Sequence, residues 1–182
     1  MPDLLPVTLA SAGPAGPILE DMKKQMGSVP NIFATLAHSP AVLEGFLAFS
    51  GSLGSGVLDA RIREQIALAV AGKNGCDYCA SAHTVLAAGV GIAQDEAANN
   101  LRGKASDPKT QAILNFALSV VAQRGKTSPE QLTQLRDADV SDAEIVEILA
   151  NVAINLFTNY FNHVARTEID FPFVAAQPSE YR

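Results

Sequence analysis

Residues 63–91 read REQIALAVAGKNGCDYCASAHTVLAAGVG, and this stretch decides the fold. Two segments with helical character flank the short GKNG sequence at residues 72–75. Because glycine commonly ends a helix, the pattern predicts a helical hairpin with its turn at these residues. The first helix is expected over about residues 59–71, and the second is expected to start at Cys76 and end near Gly89.

The rest of the chain extends the helical pattern in both directions. No segment has a convincing β-hairpin signal, so the predicted fold class is all-α. Proline-rich residues 1–17 are predicted to form an extended arm, residues 18–172 a single helical domain, and residues 173–182 a tail. The glycines of residues 51–56 predict a loop between two helices.

The two longest helices predicted after the hairpin cover residues 108–123 and 142–166. The second begins with a capping box, Ser141-Asp-Ala-Glu, and is apolar on more than one side. A helix with two apolar faces is central in its domain or contacts another subunit. The sequence therefore predicts a homo-oligomer, with these helices or the N-terminal arm at the contacts.

Composition and charge limit the classes of partner. The 182 residues carry a formal net charge of −6, and 48% of them are hydrophobic. An acidic chain without a run of Lys or Arg is not expected to bind nucleic acid or an anionic membrane. No apolar run reaches the roughly 18–20 residues that span a bilayer. The N-terminus lacks the basic region of a secretory signal, so a cytoplasmic location is expected.

The chemistry-bearing motif is Cys76-Asp-Tyr-Cys79, which contains both cysteines of the chain. A Cys-x-x-Cys pair suits a reversible disulfide, and in a reducing compartment such a pair is typically redox-active or metal-binding. On a helix, Cys76, Cys79 and His83 lie along one face. The helix start favours a thiolate on Cys76, whereas proximity to His83 favours one on Cys79, so the more acidic thiol is left open.

Glu64 is the second unusual residue, because its neighbours on the predicted helix face are mostly small or apolar. A buried carboxylate needs a partner. The hairpin would bring Glu64 beside His83, where it would fix the ring tautomer and raise the basicity of the imidazole.

Other interpretations of these residues remain. The cysteines could be plain core thiols, and Glu64 could form a surface ion pair with Arg61. Zinc could be bound by the two thiols, His83 and Glu64, although a second close ligand pair is missing. Several polar residues of the last predicted helix could line a pocket, or they could cap and pack that helix. The second interpretation is favoured. These residues are Asn155, Asn159, Tyr160, Asn162 and His163.

Residues 63–91 resemble the alkylhydroperoxidase D-like branch of the carboxymuconolactone decarboxylase family. The resemblance rests on Glu64, the twelve-residue step to Cys76, the CxxC motif and His83. It implies an all-helical bundle around a hairpin that carries the CxxC, and homo-oligomers that are trimers or hexamers. One departure is Tyr78, which stands where the alkylhydroperoxidase D proteins have a histidine.

The resemblance also implies an activity. It points to a thiol-dependent peroxidase or disulfide reductase without metal, haem or other cofactor, reduced by a lipoyl or thioredoxin-like dithiol. By position, Cys79 would be oxidised by the hydroperoxide, Cys76 would resolve the product, and Glu64 with His83 would relay protons. The alternatives are a lyase of the carboxymuconolactone decarboxylase type and a non-enzymatic redox-sensing or assembly protein.

Overall fold

The computed structural model describes residues 2–176. Within them the chain forms nine α-helices, two short 3-10 turns and no strand, which confirms the predicted all-α class. The helices are α1 Gly16–Met26, α2 Asn31–Leu36, α3 Pro40–Gly54, α4 Ala60–Asn74, α5 Asp77–Gly89, α6 Gln94–Leu101, α7 Pro108–Gln123, α8 Pro129–Asp137 and α9 Asp142–Ala165.

The predicted hairpin is the pair α4 and α5, and local signals fix both sides of its turn. Asp59 caps the start of α4 by accepting a hydrogen bond from the backbone N–H of Ile62 at 2.8 Å. Gly75 ends the helix in the left-handed conformation at φ 69°. The backbone N–H of Cys76 then donates to the carbonyl of Ala71 at 3.0 Å, which closes the turn.

Helix α4 is the centre of the domain. All of its residues from Gln65 to Gly72 are buried. It packs against α5, α6, α7 and α9, so it is surrounded on nearly every side. Gly72 permits the close approach of α6, because a Cβ at that position would collide with the backbone of Leu101 at the end of α6.

Helix α9 follows its predicted bounds closely. The hydroxyl of Ser141 accepts a hydrogen bond from the backbone N–H of Glu144 at 3.2 Å, and the carboxylate of Glu144 accepts one from the backbone N–H of Ser141 at 2.7 Å. This capping box starts a helix of 24 residues that runs along α4. The long contact places the polar face of α9 against the hairpin.

The N-terminal segment differs from the extended arm that was expected over residues 1–17. Residues Leu9–Ser11 and Gly13–Ala15 form 3-10 turns, and α1 already begins at Gly16. Gly16 and Pro17 favour a helix start at this point, because proline suits the first turn of a helix. The preceding residues lie on the domain, where the backbone N–H of Val7 donates to the carbonyl of Ala34 at 3.1 Å.

The predicted loop over residues 51–56 was also wrong in part, because α3 continues through Gly54. Leu53 lies in this stretch and is buried, so tertiary packing outweighs the low helix propensity of the glycines. In the predicted C-terminal tail, the backbone N–H of Val174 donates to the hydroxyl of Ser81 at 2.9 Å. Residues 177–182 of that tail lie outside the described residues.

Among the described residues, exposed large hydrophobic side chains are most numerous on α9, and α3 and α5 carry two each. On α9 they include Val146, Tyr160 and Val164, which are 65%, 55% and 73% exposed. On α3 they are Val42 and Phe49. None lies on α7, where Ile113, Leu114, Phe116 and Ala117 are buried instead. Among residues 2–176, no helix is both long and apolar enough to cross a membrane.

The close contact between α4 and α6 predicts that Gly72→Ala destabilises the protein. The added methyl group must push the Leu101 backbone away, and overpacking of this kind costs about 1–3 kcal/mol. We expect the free energy of unfolding in urea to fall by that amount. Gly51→Ala on α3 is the matched control, because a Cβ there meets no atom within 4 Å. An equal loss of stability in both variants would contradict the prediction.

Candidate active site

The hairpin brings Glu64 and His83 together as predicted. A carboxylate oxygen of Glu64, Oε2, lies 2.8 Å from the imidazole Nδ1 of His83. The two side chains are only 19% and 21% exposed, so solvent screens the pair weakly. Because Nδ1 is engaged by the carboxylate, Nε2 is the ring nitrogen left to exchange a proton with another group.

The two cysteines are free thiols at the start of α5, and both are buried. Cys76 is the N-cap residue of α5, and its Sγ accepts a hydrogen bond from the backbone N–H of Cys79 at 3.3 Å. The thiol of Cys76 also donates to Sγ of Cys79 over 2.7 Å. The sulfurs are therefore already in contact.

The structure makes Cys79 the more acidic thiol. The hydrogen bond from Cys76 is the largest cause and lowers the pKa of Cys79 to about 7, against the opposing effect of burial. The charge of His83 and the amides of Asn162 and Asn159 lower this pKa further. The pKa of Cys76 is raised because its proton is held in the hydrogen bond to Cys79 and because the residue is buried.

His83 is electrostatically coupled to both of its acidic neighbours. Burial lowers the pKa of His83, but the charge of Glu64, the hydrogen bond to Glu64 and the nearby Cys79 all raise it, and the net direction is upward. An imidazolium on His83 is therefore stabilised by a carboxylate on one side and a thiolate on the other. The imidazole of His83 can therefore accept and hold the proton that Cys79 releases.

A row of four buried asparagines on α9 completes the site. The amide Nδ2 of Asn162 donates to Sγ of Cys79 at 3.3 Å. The amide Oδ1 of Asn159 accepts from Nδ2 of Asn74 at 2.9 Å. Asn151 and Asn155 continue the row toward Glu64, and both line the cavity beside it. These residues are four, four and three positions apart, which is the spacing of one helix face.

The favoured sequence interpretation of the α9 asparagines as capping and packing residues was therefore wrong for Asn155 and Asn162. Tyr160 is exposed, in contrast, and lies away from the thiols on the outer surface. Sequence reasoning also missed Asn151. The regular spacing of the asparagines was the available signal, because amides on one face of an otherwise apolar helix need buried partners.

Tyr78, between the two cysteines, has a different environment from the relay residues. Its hydroxyl donates to the carboxylate of Asp170 at 2.8 Å and accepts from the backbone N–H of Ile32 at 3.2 Å. Burial raises the pKa of this phenol. The ring packs edge-on against Phe171, with centroids 5.7 Å apart. Tyr78 thus ties the start of α5 to α2 and to the segment after α9.

A small cavity of about 120 Å³ lies beside the Glu64–His83 pair. Its walls combine apolar groups from α3 and α9, polar amides from α9 and one cation, Arg63. Arg63 lies partly buried and donates to the carbonyl of Leu58 at 2.6 Å. Neither cysteine lines this cavity. The lining residues are Phe46, Ser50, Leu53, Arg63, Glu64, Ala67, His83, Asn151, Ile154, Asn155 and Thr158.

The four residues that were considered as zinc ligands form two separate pairs. Glu64 binds His83, and Cys76 binds Cys79. Within the described part of the chain, no group of three or more His, Cys, Asp and Glu side chains is arranged to hold a metal ion. The alternative partner proposed for Glu64, Arg61, instead donates to the carbonyl of Gly91 at 2.7 Å.

Comparison with known proteins places the hairpin in a known family model. Residues 40–123 match the model of the carboxymuconolactone decarboxylase family, a range that contains the α4–α5 hairpin and all four predicted site residues. The match supports assignment to this family over the matched part of the chain. No curated protein is a significant match to the sequence.

Solved structures extend the likeness to almost the whole chain. A protein from Ralstonia eutropha JMP134, described as an alkylhydroperoxidase D core and a peroxidase-related protein, is 27% identical. The alignment covers 90% of this chain and 89% of that one, with a TM-score of 0.79. A peroxidase-related protein from Silicibacter sp. TM1040 is 22% identical over 91% of this chain and 92% of that one, with a TM-score of 0.80.

The debrominase Bmp8, solved in complex with 2,3,4-tribromopyrrole, has the same fold. It is 20% identical, with coverage of 92% of this chain and 91% of that one and a TM-score of 0.78. The chain thus shares its fold with an alkylhydroperoxidase D core and with a debrominase.

The electrostatic coupling predicts how Glu64→Gln changes the thiol. Loss of the carboxylate removes the charge that stabilises an imidazolium on His83, so Cys79 loses its cationic neighbour and its pKa rises. The rate of Cys79 alkylation by iodoacetamide should rise with pH around about 7 in the wild type. In the variant the rate should rise at a pH about 1 unit higher or more. A shift of this size is the usual effect on a pKa of losing a nearby opposite charge.

Glu20→Gln, on the exposed surface of α1, is the matched control and should keep the wild-type profile. Mass spectrometry locates the label on Cys79 rather than Cys76. Superimposable profiles for the wild type and Glu64→Gln would remove Glu64 from the control of the thiol.

Proposed function

We propose that this protein is a thiol-dependent hydroperoxidase that uses Cys79 as the oxidised thiol and Cys76 as the resolving thiol. The observation that carries the proposal is the position of Cys79. The sulfur of Cys79 accepts one hydrogen bond from Cys76 and another from Asn162. The charge of His83 also lowers the pKa of Cys79. These are the surroundings that stabilise a thiolate, which is the reactive form toward peroxides.

The first step oxidises Cys79. The thiolate attacks the terminal oxygen of the hydroperoxide, the O–O bond breaks, and a sulfenic acid forms on Cys79. The departing alkoxide takes a proton from the imidazolium of His83 and leaves as an alcohol, or as water when the substrate is hydrogen peroxide. Glu64 holds the ring by Nδ1 throughout, so Nε2 delivers the proton.

The second step closes the disulfide. Cys76 attacks the sulfur of the sulfenic acid, an S–S bond forms, and hydroxide leaves with the proton of Cys76 as water. The contact between the two sulfurs supports this step, since little chain movement is required. An external dithiol then returns both cysteines to the reduced state by exchange. No metal or organic cofactor takes part in the proposed cycle.

A lyase of the carboxymuconolactone decarboxylase type is the second candidate, and Arg63 is the observation that favours it. This cation lines the same cavity as Glu64 and His83, where it could hold a carboxylate beside an acid–base pair. Such a reaction needs no thiol. It therefore predicts full activity in a Cys76→Ser, Cys79→Ser double variant, whereas the peroxidase cycle predicts none.

The proposed cycle predicts a two-thiol stoichiometry. One equivalent of hydroperoxide should remove two titratable thiols and yield an intramolecular Cys76–Cys79 disulfide, and a dithiol should restore both. Cys76→Ser should accumulate sulfenic acid on Cys79. Thiol titration and mass spectrometry measure these products. Oxidation to intermolecular dimers, or thiols untouched by peroxide, would contradict the proposal.

Steady-state assays separate turnover from sensing. Peroxide consumption with an alkyl dithiol should continue over many cycles in the wild type. It should fall by about 10²–10⁴-fold in Glu64→Gln, the range typical of lost acid–base catalysis. A single cycle of oxidation without turnover would instead identify a redox sensor. The wild type should also be assayed with 2,3,4-tribromopyrrole in place of the peroxide. Release of bromide by a protein that does not consume peroxide would favour debromination.

We also propose that the chain forms a homo-oligomer, a trimer or a hexamer, through the apolar surface of α3 and α9. Light scattering at micromolar concentration should give a mass of three or six chains. Val146→Glu, on the exposed face of α9, should reduce that mass, because charges are unfavourable in the apolar centre of an interface. Met26→Glu on α1 is the control and should leave it unchanged. A monomeric wild type would overturn this proposal.

A further inference from the structure

The two residues between the cysteines, Asp77 and Tyr78, begin helix α5. The backbone N–H groups in the first turn of a helix have no partner within that helix, so the turn depends on contacts from outside it. The cap of this turn is weak, because its acceptor is the sulfur of Cys76, and sulfur is a poor hydrogen-bond acceptor. The first turn of α5 therefore needs further support.

A segment without helix or strand supplies this support. Residues 168–176, the strap, follow α9 in the sequence and contact the start of α5. The carboxylate of Asp170 accepts a hydrogen bond from the hydroxyl of Tyr78 at 2.8 Å. The ring of Phe171 packs against the edge of Tyr78, with centroids 5.7 Å apart. One of the two residues enclosed by the cysteines is thus held by the strap through both its hydroxyl and its ring.

The other enclosed residue is held by the end of the strap. The backbone N–H of Ala176 donates to Oδ1 of Asp77 at 2.9 Å. One turn further along α5, the hydroxyl of Ser81 accepts from the backbone N–H of Val174 at 2.9 Å. The strap therefore contacts the side chains of both residues that separate the cysteines, and it also contacts the following turn.

Helix α2 fixes the strap from the other side. The backbone N–H of Asn31 donates to Oδ2 of Asp170 at 2.8 Å, and its side-chain amide donates to the carbonyl of Glu168 at 3.0 Å. The backbone N–H of Ile32 donates to the hydroxyl of Tyr78 at 3.2 Å. Tyr78 is only 5% exposed, so these polar contacts are shielded from water. The strap is thus anchored to the body of the domain and can restrain the turn that it contacts.

This turn also sets the distance between the two sulfurs. With the strap in place, Sγ of Cys76 and Sγ of Cys79 are 2.7 Å apart. The ends of helices fray readily where few contacts hold them. Fraying of the first turn of α5 would move Cys76 away from Cys79 and separate the thiols.

We propose that the strap sets the reduction potential of the Cys76–Cys79 pair and that Tyr78 is the positioning residue through which it acts. The strap keeps the dithiol in the conformation in which its sulfurs touch, and this shifts the equilibrium toward the disulfide. The inference rests on the proposed function, because only a pair that cycles through a disulfide makes use of its potential.

The direction of the effect follows from conformational entropy. In the oxidised protein the S–S bond itself restrains the turn, so the strap adds little. In the dithiol, only the strap and the weak sulfur cap restrain it. Loosening the strap therefore gives more freedom to the dithiol than to the disulfide. The dithiol becomes relatively more stable, and the reduction potential of the pair rises.

Exchange with glutathione measures this equilibrium without any peroxide. Cys76 and Cys79 lose two electrons and two protons as their S–S bond forms. One molecule of glutathione disulfide gains them as its own S–S bond breaks, and two molecules of glutathione result. The equilibrium is approached both from the dithiol and from the disulfide formed with diamide.

The first test removes hydrogen bonds to the strap without changing any charge. Tyr78→Phe keeps the ring and should lower the equilibrium constant for disulfide formation by about 10-fold, the effect of a lost hydrogen bond to a carboxylate. This corresponds to a rise of about 30 mV in the reduction potential. Ser81→Ala should lower the constant by about threefold, because a neutral hydrogen bond is weaker. Tyr160→Phe deletes an exposed hydroxyl on α9 and is the matched control, with the wild-type constant expected.

The potential separates positioning from a purely structural role. A strap that only stabilises the fold would lower the free energy of unfolding in urea and leave the equilibrium constant unchanged in both variants. That result would overturn the proposal, and so would a more stable disulfide in either variant. Circular dichroism shows whether Tyr78→Phe is folded, and Ser81→Ala gives the result if it is not.

Thermodynamic linkage gives a second test on the wild-type chain. If the strap favours the disulfide, the disulfide must favour attachment of the strap by the same factor. The amides of Val174 and Ala176 should therefore exchange with deuterium more slowly in the diamide-oxidised protein than in the reduced protein. Equal or faster exchange after oxidation would overturn the proposal. A failure of hydroperoxide to oxidise the wild type would count against the proposed function alone.

Discussion

The ion pair between Glu64 and His83 is the contact around which the candidate site is arranged. It joins the N-terminal part of α4 to the middle of α5 and exists because Gly75 turns the chain back on itself. Helix α4 is buried along most of its length, so the carboxylate has little freedom to leave its partner for water. The fold thereby holds an imidazole at a fixed distance from a helix start, where two thiols lie.

Two effects compete for the acidity of the thiols, and their balance makes Cys79 the more acidic of the two. The helix start acts on Cys76, which receives the backbone N–H of Cys79 as an N-cap residue does. However, the thiol of Cys76 donates a hydrogen bond to Cys79. Cys79 also accepts one from Asn162 and lies near the charge of His83. The sum of these local interactions outweighs the helix start. The acidic thiol is therefore the one inside the helix, and its neighbour at the cap keeps its proton.

Helix α9 connects this electrostatic centre to the rest of the molecule. Its buried face carries the asparagines that adjoin the thiols and the first cavity, and its opposite face carries exposed Val146 and Tyr160. Near its C-terminal end, Asn162 and His163 line another cavity, which adjoins Cys76. One helix thus contributes to both cavities and also presents an apolar outer surface.

The sequence by itself determined the helices, the hairpin and the residues that meet across it. Local signals explain this success: a glycine turn, capping residues such as Ser141, and a CxxC–histidine spacing act within a few residues of one another. Tertiary structure decided what depends on distant contacts. It extended α3 through the glycines because Leu53 is buried there, and it directed the α9 asparagines to the site. It also selected Cys79 over Cys76, because a thiol's acidity is set by groups that only the folded chain brings around it.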